Sequence, residues 1–160
     1  MIGKRAGAVA LIALLAGCAA PTKLEPTGYT QAQGPRGAGY GYRDMDLGGD
    51  EFSIVVAGNR ETSKERVADI ALLRAASIAQ ERGRTHFIIL KREARAHEVF
   101  RPQIIPVFVG GVMAPIPVGE RSTAEPMTLL LIRLLPRQQS YPRDAIEAAD
   151  ATRRLADRLQ

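Results

Sequence analysis

The chain reads as a small α+β domain: an antiparallel sheet of about four strands, one helix packed across it, and a second helix at the C-terminus. Three observations carry this reading. A hairpin pattern ends near residue 58, a capped alanine-rich helix follows it, and two strongly apolar strand-like segments follow the helix. In the hairpin, Tyr40 to Leu47 alternates weakly and Gly48-Gly49 is a turn signal. Glu51 to Ala57 then puts Phe52, Ile54 and Val56 on one face. Gly58-Asn59 closes that strand. Thr62-Ser63-Lys64-Glu65 reads as a capping box, with Thr62 as the cap and Glu65 reaching back. The helix should run to Arg82. It presents Val67, Ala68, Ala71, Leu72, Ala75, Ile78 and Ala79 at helical spacing, and Gly83 stops it. The alanines allow a close approach to a sheet.

His86 to Lys91 is a buried strand, and the charged stretch to Val99 extends it beyond the core. Met127 to Leu135, closed by Pro136, is the second apolar strand and a natural antiparallel partner. Between them, residues 100–119 carry one charge, Arg101, and hold Pro102, Pro106, Pro115 and Pro117 around Gly110-Gly111. So many prolines argue against a regular helix or a central strand. The expectation is a long apolar insertion, either extra core or an exposed contact surface. Long loops are often functional, and Phe108, Val109, Val112 and Met113 are the candidate contact residues. Asp144-x-x-Glu147 opens the last helix, with Ala145, Ala148, Thr152, Leu155, Ala156 and Leu159 on one face.

The N-terminus reads as an address. Lys4 and Arg5 precede an uncharged run from Ala6 to Ala20. That run is shorter than the roughly 20 residues a bilayer span needs, so an export signal is the better reading. Leu15-Ala16-Gly17-Cys18 resembles the lipobox of bacterial lipoproteins. The resemblance implies cleavage between Gly17 and Cys18 and a diacylglyceryl group on the Cys18 thiol, followed by N-acylation. Several acyl chains anchor far more firmly than one. Ala19, in place of an Asp, implies release to the outer membrane. Residues 1–17 are then a signal peptide, 18–39 the lipidated N-terminus and a Pro/Gly-rich tether, and 40–160 the folded domain.

Further residues carry a second resemblance. Gly39-Tyr40-Gly41-Tyr42, Gly58-Asn59, Thr62-Ser63, Val67, Leu73-Arg74-Ala75-Ala76, Gly83 and His86-Phe87-Ile88 together resemble a group of small proteobacterial envelope lipoproteins. The likeness covers roughly residues 40 to 90. It implies a location and a fold: a strand ending in Gly-Asn, a Thr-Ser cap opening a helix, and a Gly before the next strand. It brings no catalytic residues.

Composition narrows the chemistry. One Cys and two His leave no disulfide framework and no usual Cys/His zinc site. Cys18 goes to lipid, and no Gly-x-Ser-x-Gly elbow is present. The net charge of +5 falls when Lys4 and Arg5 are cleaved off, and no basic run suggests nucleic acid. Lys91, Arg92, Arg95 and Arg101 are interspersed with Glu93 and Glu98 and read as a solvated face. Asp44, Asp46, Asp50 and Glu51 form an acidic hairpin without calcium-loop spacing. The expectation is a non-enzymatic lipoprotein on the periplasmic face of the outer membrane. It binds or scaffolds an envelope component, a protein or peptidoglycan, and needs no metal or cofactor beyond the lipid. The alternative is a small periplasmic enzyme or ligand-binding module using the acidic hairpin 44–51.

Overall fold

The computed structural model describes residues 24–33 and 39–159. The signal segment 1–17, Gly17 and Cys18 at the cleavage and lipidation point, and much of the tether lie outside the described residues. The element order is β1 (Gly41–Gly48), β2 (Glu51–Ala57), α1 (Lys64–Glu81), β3 (His86–Val109), β4 (Val112–Leu135), β5 (Ile146–Glu147) and α2 (Ala148–Leu159). The class is α+β, and the sheet is antiparallel with the order β1-β2-β4-β3-β5. It has five strands rather than about four. The extra one is the two-residue β5, which pairs Ile146 with Phe87 and Glu147 with His86. Those residues fall where the sequence suggested the start of the last helix, so α2 begins at Ala148 instead.

Both helices lie on one face of the sheet. Phe52, Ile54 and Val56 of β2 alternate inward, as do Leu130, Ile132 and Leu134 of β4, and Phe87 joins them. From α1 the core receives Val67, Ile70, Ala71, Ala75, Ala76, Ile78 and Ala79, and from α2 Ala148 and Ala151. More of α1 is buried than a single apolar stripe requires, because the sheet covers one side of it and α2 another. A buried Phe or Ile of this kind costs about 2–5 kcal/mol when cut to Ala. The stability of the domain therefore resides in this layer.

The ends of α1 follow from local chemistry. Ser63, one residue after the expected cap, accepts the Arg66 N–H at 3.0 Å. Thr62 is instead buried, and its hydroxyl donates to Asn59 Oδ1 at 2.7 Å. At the other end Gly83 has φ 66°, its N–H bonds the Gln80 carbonyl, and the Arg84 N–H bonds the Ala79 carbonyl. That pair of bonds satisfies the last orphan carbonyls of the helix.

Residues 24–33, part of the stretch read as a tether, dock on the domain. The Thr27 N–H bonds Thr62 Oγ1 at 2.9 Å, and Thr27 Oγ1 accepts the Asn59 N–H at 3.0 Å. Tyr29 stacks on Tyr42 and shares a hydrogen bond with Ser77. Arg66 donates to the Thr27 carbonyl and to the Leu159 carbonyl, both at 2.9 Å. Tether composition was a poor guide here because this segment supplies backbone and hydroxyl groups to the buried Asn59–Thr62 turn.

The largest departure from expectation is the insertion. Residues 100–119 do not interrupt the two apolar strands; they continue them as one hairpin. β3 and β4 have 24 residues each and pair from His86–Leu135 to Val109–Val112. The turn at Gly110-Gly111 has φ of 59° and 85°, positive at both positions, as a two-residue I′ hairpin turn needs. The turn at Gly49-Asp50 does the same with φ of 62° and 64°.

Regular pairing survives the prolines because of where they stand. In an antiparallel pair every second residue points its N–H away from the partner strand. Pro106 faces Pro115, and Pro117 faces Ile104, two residues before Pro106. Pro102 is four residues before Pro106, in the same alternating set. All four prolines thus occupy outward positions, where no ladder bond is lost. The β3–β4 pair shifts register at Ile89/Lys91, near the core, and again at Gln103/Ile104, where Val118 is the extra residue and Gly119 has φ 153°.

Candidate functional site

Three places were singled out by residue type: the acidic hairpin, the two histidines and the apolar insertion. The structure treats them differently. Each acid of the β1–β2 hairpin is engaged by an arginine. Asp44 accepts from Arg74 Nε at 2.9 Å, Asp46 from Arg82 at 2.7 Å, Asp50 from Arg84 at 2.9 Å and Glu51 from Arg133 at 2.6 Å. Arg74 also donates to Glu81 at 2.6 Å. Burial alone would lower the Arg74 guanidinium, but its hydrogen bonds to Asp44 and Glu81 outweigh that and hold it above its ordinary value. The hairpin thus clamps the sheet edge to α1, and the alternative function that would use it has no unpaired carboxylate there. Among the described residues no group of three or more His, Cys, Asp or Glu gathers into a metal site.

His86 stacks on Tyr141 with ring centroids 3.6 Å apart, and its Nδ1 lies 3.0 Å from Thr85 Oγ1. This fastens the segment before α2 to the sheet. Lys91, Glu93 and Arg95 form an ion-paired row along β3, with Glu93 between the two cations. Those hydrogen bonds hold the Glu93 carboxyl below its ordinary value. The solvated-face expectation fits this row.

The insertion is the exposed feature. Opposed residues share a face, so Phe100, Pro102, Ile104, Pro106 and Phe108 of β3 lie with Ser122, Glu120, Pro117, Pro115 and Met113 of β4, and Glu120 bounds the apolar row at its root. Phe100, Ile104, Phe108 and Met113 are 62%, 58%, 69% and 57% exposed. Ile105, Ile116 and Val112 are exposed on the opposite face. Of the four candidate contact residues, Phe108 and Met113 therefore oppose each other on one face. Val112 belongs to the other register set and pairs with Val109 beside the turn. From Pro102 to Gly119 there is no charged residue. At about 3.4 Å per residue, the uncharged ribbon is roughly 27 Å long. A soluble monomer rarely leaves an apolar surface of this extent uncovered.

One group at the base of the ribbon was not singled out. Glu125 is 1% exposed. Its Oε1 accepts the Tyr40 hydroxyl at 3.0 Å and Arg101 Nη2 at 3.0 Å, and the same Nη2 lies 2.8 Å from the Tyr40 oxygen. Glu125 Oε2 has no hydrogen-bond partner among the described residues. Burial, and next the Glu125 hydrogen bond, hold the Tyr40 hydroxyl above its ordinary 10.0. Beside it is a recess of about 360 Å³ lined by Tyr40, Arg43, His97, Val99 and Met127, among others. The joint ties the chain's entry into β1 to the root of the ribbon. Nothing in the local sequence marks Glu125, because its partners are 85 and 24 residues away.

No protein-family model, curated protein or solved structure matches this chain. Among the described residues no helix is long and apolar enough to cross a membrane.

Proposed function

We propose that this protein is a lipid-anchored, non-enzymatic protein of the outer membrane, on its periplasmic face, that holds an envelope component against the β3–β4 ribbon. The observation that carries the reading is the uncharged ribbon 102–119, exposed on both faces and, among the described residues, contributing none to the core. The Leu15-to-Cys18 pattern supplies the anchor, and Cys18 carries the lipid. A surface without charged or catalytic groups suits binding by apolar contact, where a few large side chains dominate.

The prolines also narrow the mode of binding. They line the outer edges of both ribbon strands, so a partner strand cannot continue the ladder there. The partner must cover side chains rather than extend the sheet. The test is to replace residues 102–120 by Asn-Gly, which joins Arg101 to Arg121 and spares the Glu125 joint. The variant should unfold cooperatively at the parent's midpoint and lose the parent's complexes on native gels of the solubilised envelope. Unchanged complexes would refute the reading. Palmitate labelling that persists in Cys18→Ser would refute the anchor.

A further inference from the structure

The geometry points to a second copy of this chain as what covers the Phe/Pro face of the ribbon, through a two-fold interface centred on Ile104. This inference rests on the contact-surface reading above and specifies its partner.

The first support is the order of residues on that face. Along β3 it runs Phe100, Pro102, Ile104, Pro106, Phe108, which is the same read in either direction. A two-fold interface joins one patch to itself, so residue i meets j and j meets i. With the axis at Ile104 and the two ribbons antiparallel, each Phe100 meets a Phe108. Each Pro102 meets a Pro106, and Ile104 meets its own copy. On β3 a reversed row thus superposes like on like, with aromatic pairs at both ends. On β4 the same axis sets Pro117 on its own copy, Glu120 against Pro115 and Ser122 against Met113, which keeps the polar pair at the rim of the patch.

The second support is area. Side chains of this size present roughly 150–250 Å² each when fully exposed. At the exposures given above, Phe100, Ile104, Phe108 and Met113 leave on the order of 400 Å² per copy, and the four exposed prolines add to it. Two copies face to face would remove about 1,200 Å², which reaches the lower end of specific interfaces. The opposite face, with Ile105 at 45%, Ile116 at 38% and Val112 at 67%, offers less, because it carries no aromatic side chain.

The third support is the blocked edges. Prolines on both outer edges prevent the ribbons from joining side by side into an open-ended sheet. Stacking face to face, about 10 Å apart as packed sheets are, is the arrangement left. A lone two-stranded ribbon is only marginally stable in water, and stacking supplies the second layer it lacks.

The experiment is cysteine crosslinking of the full chain in intact cells with a short bis-maleimide linker. Ile104→Cys and Ile105→Cys are each compared with the parent chain, which carries Cys18. Ile104→Cys should give a band at twice the mass of the chain, identified by mass spectrometry as two copies. Ile105→Cys, on the opposite face, should stay at the parent's level. Co-expressed Phe100→Cys and Phe108→Cys copies should crosslink to each other. Equal yields at Ile104 and Ile105, or none above the parent, would overturn the self-pairing. A photo-crosslinker at Phe108 then separates the two failures. Capture of a different protein or a lipid removes the second copy and keeps the contact surface, whereas capture of nothing beyond its own chain removes both.

Discussion

Arg101, Tyr40 and Glu125 meet through a single carboxylate oxygen, and Glu125 lies in a stretch that nothing in the local sequence marks. Glu125 is buried and Arg101 is half-exposed, so removing either has unequal consequences. Arg101→Ala strands a buried carboxylate with one tyrosine hydroxyl. It should cost about 3 kcal/mol by urea denaturation, while Arg92→Ala, at an exposed position, should cost less than about 0.5 kcal/mol. Equal losses would mean that the joint contributes nothing special. Tyr40 adds a pH dependence. Folding raises its pKa, so the fold favours the neutral hydroxyl. That stabilisation is complete below pH 10.0 and is lost as the pH climbs through the raised value. Tyr40→Phe should flatten the alkaline fall of the denaturation midpoint. At this scale the sequence was legible only where partners are neighbours in the chain. The Thr62–Ser63 cap was read to within one residue. The arginine partners of Asp44, Asp46, Asp50 and Glu51 lie 30 or more residues away and could not be paired from spacing.

Among the elements, α1 and β2 were the clearest to read, because alternation and helical spacing report burial on one side. Gly58 is where they meet. A Cβ there would lie 2.7 Å from Val67 Cγ1 and 2.8 Å from the Thr62 side chain. Gly58→Ala should therefore cost about 1–3 kcal/mol in denaturation experiments. A loss below that range would show the strand-to-helix corner to be more yielding than its packing. The insertion was misread as irregular because proline was weighed by count rather than by position in the ladder. In a free ribbon, alternate positions tolerate it without loss. The same argument predicts what proline prevents. Pro106→Thr with Pro115→Thr restores outward N–H groups on both edges, and should turn soluble chain into larger assemblies that bind thioflavin-T. If the double variant stays at the parent's size, the prolines are not edge guards.

Across the whole molecule, stability and contact are divided. The helices and the near ends of β2, β3 and β4 bury the core, while the far half of β3 and β4 buries little. The antiparallel α+β class was legible because strand and helix periods are written locally. The reach of the ribbon was not, since it depends on register across 24 residues of each strand. The tether was half legible: Leu24 to Gln33 lies in a Pro/Gly-rich stretch, yet Thr27, Tyr29 and Gln31 dock on the domain. The central claim is that the ribbon meets something other than its own chain. Photo-crosslinking in living cells from Phe108, Val112 and Met113 tests it most directly, with Ile54 in the core as the internal control. The account predicts discrete crosslinked products from the ribbon positions and only intrachain products from Ile54. Intrachain products alone from all four positions would contradict it.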